Sequence, residues 1–160
     1  MVTGCAALLA ACGGPPPPPP PPTIVNVNVQ ALAGVNPAPD GTAAPVTLRL
    51  YQLATAANFG NAEFFALYNQ DATVLGQDLV QREDVVLAPG ATKTETIKPK
   101  DQVKAFAVLA ALRDFQHANW RGSVDVPANQ TTDVTITVGP KGVAITAAPA
   151  KPPPPKPAGG

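Results

Sequence analysis

Side chains able to do nucleophilic or acid–base chemistry are few and scattered along this sequence of 160 residues. Nucleophilic catalysis needs a nucleophile, a base and a group that orients the base. The chain has one histidine, His117, and one serine, Ser123, and no Gly-x-Ser-x-Gly turn surrounds that serine. His117 lies in the polar stretch DFQHAN, which predicts an exposed loop position. We therefore expect neither residue to be catalytic.

The acidic and sulfur side chains give no better site. Glu83 and Asp84 are adjacent in a predicted strand, and consecutive strand residues point to opposite faces of a sheet. Cys5 and Cys12 have no partner thiols further along the chain, so a disulfide framework or a zinc site is not expected. The sequence thus predicts a protein that is not an enzyme, with no metal, no bound cofactor and no small-molecule substrate.

Cys12 has a different chemistry available to it. Residues 1–11 are small and apolar, like the end of a secretory signal peptide. The run Leu-Ala-Ala-Cys that ends at Cys12 resembles the bacterial lipobox, in which the signal is cut before a cysteine whose thiol carries diacylglycerol. We predict that residues 1–11 are a lipoprotein signal peptide, incomplete because it lacks Lys and Arg, and that Cys12 is lipidated. An ordinary signal peptide, a free cysteine, or modification at Cys5 are the alternatives.

The residues after Cys12 predict which membrane the protein is anchored in and a stiff segment between that membrane and the domain. Gly13 is not the aspartate that commonly retains lipoproteins at the inner membrane, which favours the outer membrane. Diacylglycerol and an N-acyl chain on Cys12 would give stable anchoring, since two or more acyl chains are needed for that. In residues 12–22, the run Pro15–Pro22 would extend about 25 Å as polyproline II. The proline-rich residues 149–160 predict a disordered tail.

Composition argues against a nucleic-acid partner and against a membrane-spanning helix. Net charge is zero and only 14% of residues are charged. No basic stripe is present, so nucleic acid is not an expected partner. No segment reaches the roughly 18 consecutive apolar residues that a membrane-spanning helix needs.

Between the proline-rich ends, residues 23–148 form one predicted domain. Alternation of apolar and polar residues, as in the Val and Asn residues of TIVNVNVQAL, predicts half-buried strands. Lys104–Leu112 is apolar on both faces and predicts a buried central strand, although its alanines also allow a helix. The other predicted strands are Thr23–Leu32, Val46–Leu53, Glu83–Gly90, Thr92–Lys98, Trp120–Val126, Thr132–Gly139 and 143–148.

The predicted fold class is all-β, a two-sheet β-sandwich with one short inserted helix. The helix is predicted over Asn61–Asn69, with Asn61 as N-cap. Its Phe64, Phe65 and Tyr68 are interpreted as core rather than as a ligand site. The cluster Arg113, Asp114, Trp120 and Arg121 is interpreted as a structural corner, the alternative being a binding patch.

Several stretches together resemble one known family. Arg49–Leu53 (RLYQL), Phe64–Leu67 (FFAL) and Arg113-Asp114 followed by Trp120-Arg121 occur in the order found in TssJ, the type VI secretion lipoprotein family. The resemblance implies a transthyretin-like sandwich. It implies anchoring in the inner leaflet of the outer membrane, facing the periplasm. It also implies that the partner is the periplasmic C-terminal domain of TssM, with TssL in the wider complex.

In that family the loop between the first two strands contacts TssM, and here that loop is Ala33–Pro45. The family usually carries a Gly-Arg-Pro-Ser-Pro-like run before the second strand, whereas this chain has GTAAP without the arginine. From the residues alone the loop is either a long turn or a binding loop. The resemblance predicts the partner-binding residues Val35, Asn36, Pro37, Ala38, Pro39, Asp40, Gly41 and Thr42.

A second function remains open from the sequence. A periplasmic ligand-binding lipoprotein, for instance one that recognises carbohydrate, would share the sandwich and the anchor. Exposed aromatic side chains on one sheet face would support that alternative.

Overall fold

The computed structural model describes residues 15–151, so the predicted signal peptide, Cys12 and residues 152–160 lie outside the described residues. Eight strands form two four-stranded sheets, and two helices lie between the second and third strands. The strands are β1 Ile24–Ala31, β2 Val46–Leu53, β3 Leu79–Leu87, β4 Thr92–Ile97, β5 Ala105–Ala111, β6 Arg121–Asp125, β7 Thr131–Gly139 and β8 Gly142–Pro149. The predicted two-sheet sandwich is confirmed.

The first sheet has the order β4-β1-β7-β8 and the second has the order β3-β2-β5-β6. Strands β1 and β7 are parallel, and every other described pair is antiparallel. The predicted alternation in β1 is present: Val25, Val27 and Val29 are buried between the sheets, while Asn28 is exposed. Each such buried apolar side chain contributes about 1.5–3 kcal/mol to folding.

Strand β5 is buried on both faces, which resolves the choice between strand and helix in favour of a strand. Phe106, Val108 and Ala110 belong to the core between the sheets. Ala107 and Leu109 belong to a second apolar cluster on the outer face of the same sheet. That outer face therefore needs a cover of its own.

Two helices cover this outer face, and the helical segment is longer than predicted. Helix α1 spans Ala57–Asn61 and helix α2 spans Phe64–Leu75, followed by a short 3-10 turn. Asn61 is not an N-cap but the last residue of α1, and Glu63 occupies the N-cap position of α2. The helical dihedral angles are interrupted at Gln70, next to the predicted end of the helix at Asn69.

The chain resumes its helix after Gln70 because the buried face continues. Leu67, Asp71 and Leu75 lie at intervals of four residues and are all buried, which is the spacing of one helix face. A carboxylate in the middle of that face broke the apolar pattern in the sequence. The prediction consequently stopped six residues too early.

Two further boundaries differ from the predicted ones. Strand β3 begins at Leu79 rather than Glu83, because it pairs with β2 along the whole length from Val46 to Leu53. Strand β8 includes Pro149, the residue at which the predicted tail begins, and the Ala150 N–H donates to the Thr131 carbonyl at 2.9 Å.

The remaining described segments include the proline run. Pro15–Pro22 is exposed and carries no regular hydrogen-bonded structure. Within residues 15–151, the helices are too short or too polar to cross a membrane.

The strand register shows which connections lie at each end of the sandwich. At one end lie the segments 32–45, 112–120 and 140–141, which connect β1 to β2, β5 to β6 and β7 to β8; we call it the loop end. At the other end Ile24 pairs with Thr131; we call it the tether end, because the proline run enters there. The loop Ala33–Pro45 therefore lies at the end of the domain opposite the one at which the proline run enters.

One buried hydroxyl gives a test of this core. Thr132 is 2% exposed, and its Oγ1 has no hydrogen-bond partner among residues 15–151. A Thr132→Val substitution keeps the shape and removes the desolvated hydroxyl, so we expect the free energy of unfolding to stay equal or rise by about 1 kcal/mol. Urea unfolding followed by circular dichroism measures it. Thr135→Val, at an exposed position on the same strand, is the control, and a clear loss of stability in Thr132→Val alone would contradict this reading of the core.

Candidate interaction surface

The loop Ala33–Pro45 is folded rather than extended, and its base is buried. The Asn36 side chain donates to the Pro45 carbonyl at 2.8 Å and accepts from the Arg113 N–H at 2.9 Å. Asn36 has a φ of 48°, a left-handed conformation that Asn adopts more readily than most residues. Together with the fully buried Val35, Asn36 fixes the loop to the domain and to the β5–β6 connection.

The tip of the loop is a compact turn. The Gly41 N–H donates to the Ala38 carbonyl at 2.8 Å, and the Ala38 N–H donates to the Thr42 carbonyl at 2.8 Å. The Asp40 carboxylate accepts from the Thr42 N–H at 2.9 Å, and this hydrogen bond lowers the pKa of Asp40. Gly41 has a φ of 83°, which favours glycine at that position. The tip is thus held in shape by its own hydrogen bonds.

The structure divides the predicted partner-binding residues into two groups. Val35 and Asn36 are buried and hold the loop in place, so they offer little surface to a partner. The other six residues are accessible to solvent. Pro37 and Ala38 are half-buried, and Pro39, Asp40, Gly41 and Thr42 are exposed at the tip. Their role as contacts stays a prediction.

An open groove runs beside the loop. One wall is formed by residues 37–39, and the other by Arg113, Asp114 and Pro140 from the two neighbouring connections. Both charged side chains are exposed, so Arg113 and Asp114 do not belong to the structural corner predicted from the sequence. The loop and the β5–β6 connection therefore form one continuous surface at the loop end.

The residues considered for catalysis lie apart from any reactive arrangement. His117 is exposed and its Nδ1 lies 2.6 Å from the Asp114 carboxylate. Asp84 pairs with Arg49 at 3.0 Å, while Glu83 pairs with Lys93, as expected for adjacent residues on opposite faces of a strand. Across residues 15–151, no three His, Cys, Asp or Glu side chains converge as a metal site would require.

A cluster of aromatic rings lies where α2 meets the β5–β6 connection. Phe64 stacks on Phe115 with centroids 4.4 Å apart and contacts Trp120 edge-on at 5.1 Å. Phe65 packs edge-on against Phe115 at 5.1 Å, and Tyr68 stacks on Phe64 at 5.6 Å. We call these five residues the aromatic cluster.

The sequence interpretation of this helix face was right for one ring and wrong for two. Phe64 is buried at 8% exposure, but Phe65 and Tyr68 are 58% and 40% exposed. Helical spacing places all three near one another and does not say which rings the neighbouring loop covers. No aromatic residue lies on the outer face of β1, which carries Asn26, Asn28 and Gln30 instead.

The helix that carries the cluster is fixed by a buried carboxylate. Asp71 has a side chain 7% exposed and pairs with Arg49 at 3.3 Å and with Arg82 at 2.9 Å. The Tyr51 hydroxyl donates to Asp71 at 3.2 Å, and burial raises the pKa of Tyr51 so that it stays protonated. Arg49 also donates to the carbonyl of Tyr68 at 3.0 Å. Arg49 and its partners thus join α2 to both β2 and β3.

A second arginine fixes the other helix. The Arg121 guanidinium donates to the carbonyls of Phe59 and Ala62 at the end of α1 and lies 4.6 Å from the centre of the Trp120 ring. The predicted corner around Trp120 and Arg121 is therefore structural, as expected, and Arg121 positions the helices.

The fold and this surface define a class of protein. It is a small two-sheet β-sandwich with an ordered, exposed loop at one end and a proline run entering at the other.

The comparisons with known proteins identify the family. Residues 23–141 match the family of type VI secretion lipoproteins that includes VasD, EvfM and TssJ. This chain belongs to that family. No curated protein sequence matches it closely.

Solved structures agree in fold and length. The chain is similar to the type VI secretion lipoprotein TssJ1 from Pseudomonas aeruginosa, with 37% identity over 82% of this chain and 100% of that one, and a TM-score of 0.78. It is similar to Serratia marcescens Lip, a membrane-bound component of the type VI secretion system, with 25% identity, 78% and 98% coverage and a TM-score of 0.72. A chain of a type VI membrane complex shares the fold, with 22% identity, 78% and 98% coverage and a TM-score of 0.67.

The buried carboxylate generates a prediction about stability. Burial alone would raise the pKa of Asp71, but hydrogen bonds from Arg82 and Ala72 and the charges of Arg82 and Arg49 leave it below the ordinary value of 3.8. A lowered pKa means that the ionised form stabilises the fold: this contribution is complete above pH 3.8 and is lost as pH falls through the lowered pKa.

Asp71→Asn should therefore lower the free energy of unfolding by about 3 kcal/mol at neutral pH. On acidification the variant should lose less further stability than the parent. Urea unfolding between pH 7 and pH 3 measures both effects. Asp101→Asn, at an exposed loop position, is the control and should change stability by less than about 0.5 kcal/mol. Equal stability of Asp71→Asn and the parent at neutral pH would contradict the role assigned to this carboxylate.

Proposed function

We propose that this chain is an outer-membrane lipoprotein that holds a type VI secretion membrane complex by binding the periplasmic C-terminal domain of TssM through the loop Ala33–Pro45. The observation that carries the proposal is the position of that loop. It is folded, exposed at its tip and located at the end of the domain opposite the proline run. Membership of the type VI secretion lipoprotein family supports the setting. The mechanism is anchoring and binding.

The loop suits recognition by shape. Its hydrogen bonds and prolines limit the conformations of the free loop, which lowers the ordering cost of binding. Asp40 is the only charged residue between Ala33 and Pro45, since the arginine common in the family is absent here. We infer that the partner contacts backbone groups and small side chains at the tip, and that charge contributes through Arg113 and Asp114 at the edge of the groove.

The anchor completes the arrangement. Cys12 with diacylglycerol and an N-acyl chain would hold the protein to the inner leaflet of the outer membrane. Pro15–Pro22 would keep the tether end of the domain about 25 Å from that membrane. The loop end would then face the inner membrane, from which TssM and TssL of the wider complex would approach.

The first test replaces only the tip of the loop Ala33–Pro45. Substituting Pro39–Thr42 by Gly-Ser-Gly-Ser leaves the buried Val35 and Asn36 in place, and we expect binding of the purified TssM periplasmic domain to weaken about 30-fold or more. Isothermal titration calorimetry measures it. The same replacement of residues 98–101, in the exposed connection at the tether end, is the control. Unchanged affinity after the tip replacement would place the contact elsewhere.

The anchor prediction concerns Cys12. Cys12→Ser removes the thiol that would carry the lipid, and we expect the protein to move from the outer-membrane fraction to the soluble periplasmic fraction. Sucrose-gradient fractionation with immunodetection measures the distribution, and Cys5→Ser is the matched control that should stay with the membrane. If Cys5→Ser releases the protein and Cys12→Ser does not, the lipidated residue is Cys5.

A further inference from the structure

We propose that the exposed rings of the aromatic cluster, Phe65 and Tyr68 with Phe115 beside them, are a second contact area for the same partner that binds the loop Ala33–Pro45. This inference rests on the proposed function and adds a contact that the loop does not contain. The occupant is an apolar segment of the partner domain adjoining the part that contacts the loop.

Exposure of these rings is the first argument. Phe65 is 58% exposed and Tyr68 is 40% exposed, and both pack on the same buried ring, Phe64. Neighbouring exposed aromatic side chains form the kind of surface patch that marks interaction sites. Aromatic residues are enriched in the centres of protein interfaces, where they supply much of the binding free energy.

Rigidity is the second argument. Phe64 lies against Phe115, Tyr68 and Trp120 at centroid distances of 4.4, 5.6 and 5.1 Å. The Arg49 guanidinium lies 5.3 Å from the centre of the Tyr68 ring and donates to the Tyr68 carbonyl. Rings that are already held in place lose little side-chain entropy when a partner covers them. The cluster is therefore prepared for contact.

Continuity with the loop surface decides the occupant. Arg113 and Asp114 form one wall of the groove beside residues 37–39. The next residue in the chain is Phe115, whose ring lies 5.1 Å from that of Phe65. A partner segment lying along the groove reaches Phe65 across three consecutive residues of the β5–β6 connection. One partner can thus cover both areas.

The location argues against a membrane as occupant. Trp120 directly precedes β6, and its carbonyl accepts from the Ala110 N–H at 2.7 Å at the loop end of β5. The proline run enters at the opposite end, where Ile24 pairs with Thr131. Insertion of the aromatic rings into the anchoring membrane would require the domain to fold back over its own tether.

The experiment compares affinities for the purified TssM periplasmic domain by calorimetry. The double variant Phe65→Ser/Tyr68→Ser should bind about 10- to 100-fold more weakly than the parent. The control Thr73→Ala/Gln77→Ala changes two exposed polar residues further along the same helical region and should bind within about twofold of the parent. Phe65→Ser alone, at the more exposed ring, replaces the double variant if circular dichroism shows that the latter does not fold.

The outcomes separate this inference from the proposed function. Parent-like binding by the aromatic variant, together with lost binding after replacement of Pro39–Thr42, would overturn the second contact area and leave the loop contact intact. Absence of binding by the parent would overturn both. A parent that self-associates through these rings, seen as a dimer in light scattering that the aromatic variant dissociates, would make a second copy the occupant and also overturn the inference. Binding of the parent to anionic or zwitterionic vesicles, if the aromatic variant does not bind them, would likewise overturn the inference.

Discussion

Strand β5 has apolar side chains on both of its faces, and a sheet with two apolar faces needs a cover on each. The β4-β1-β7-β8 sheet covers one face, with valines of β1 and β7 meeting Leu48, Val108 and their neighbours. The chain between β2 and β3 covers the other with α1 and α2. Because those helices must lie on that outer face, the aromatic rings at the start of α2 are brought to the β5–β6 connection. The position of the candidate interaction surface thus follows from how this sheet is covered.

Helix α2 can lie there because its one buried charge is neutralised by its neighbours. Asp71 receives hydrogen bonds from Arg49, Arg82 and Tyr51, which come from β2 and β3. A lone carboxylate would be costly to bury, and the same contacts specify the position of the helix on the sheet. They also explain why the sequence prediction ended the helix near Asn69. The run Asn69–Asp71 is polar, and the arginines that compensate for it are distant in sequence.

The sequence was most informative where one period or one composition governed a segment. Alternation in β1 and the two-sided apolar run in β5 predicted their strands and burial correctly, and the resemblance of short stretches predicted the family. It was less informative where burial depends on a contact between distant segments. Phe65 and Tyr68 have the helical spacing of core residues, but the contacts of Phe115 with Phe64 and Phe65 bury only Phe64, and Phe65 and Tyr68 remain exposed. Likewise Val35 and Asn36 belong to the predicted binding loop in sequence, and only the folded loop shows them to be its buried base.

We propose that the partner binds the loop end, away from the tether. Hydrogen–deuterium exchange of this chain, free and bound to the TssM periplasmic domain, tests this because it maps the whole backbone in one measurement. We expect slower exchange on binding in residues 38–42 and 113–118, with little change in the connections 98–104 and 127–130 at the tether end. Slower exchange confined to the tether end, or to the outer face of the β4-β1-β7-β8 sheet, would contradict it.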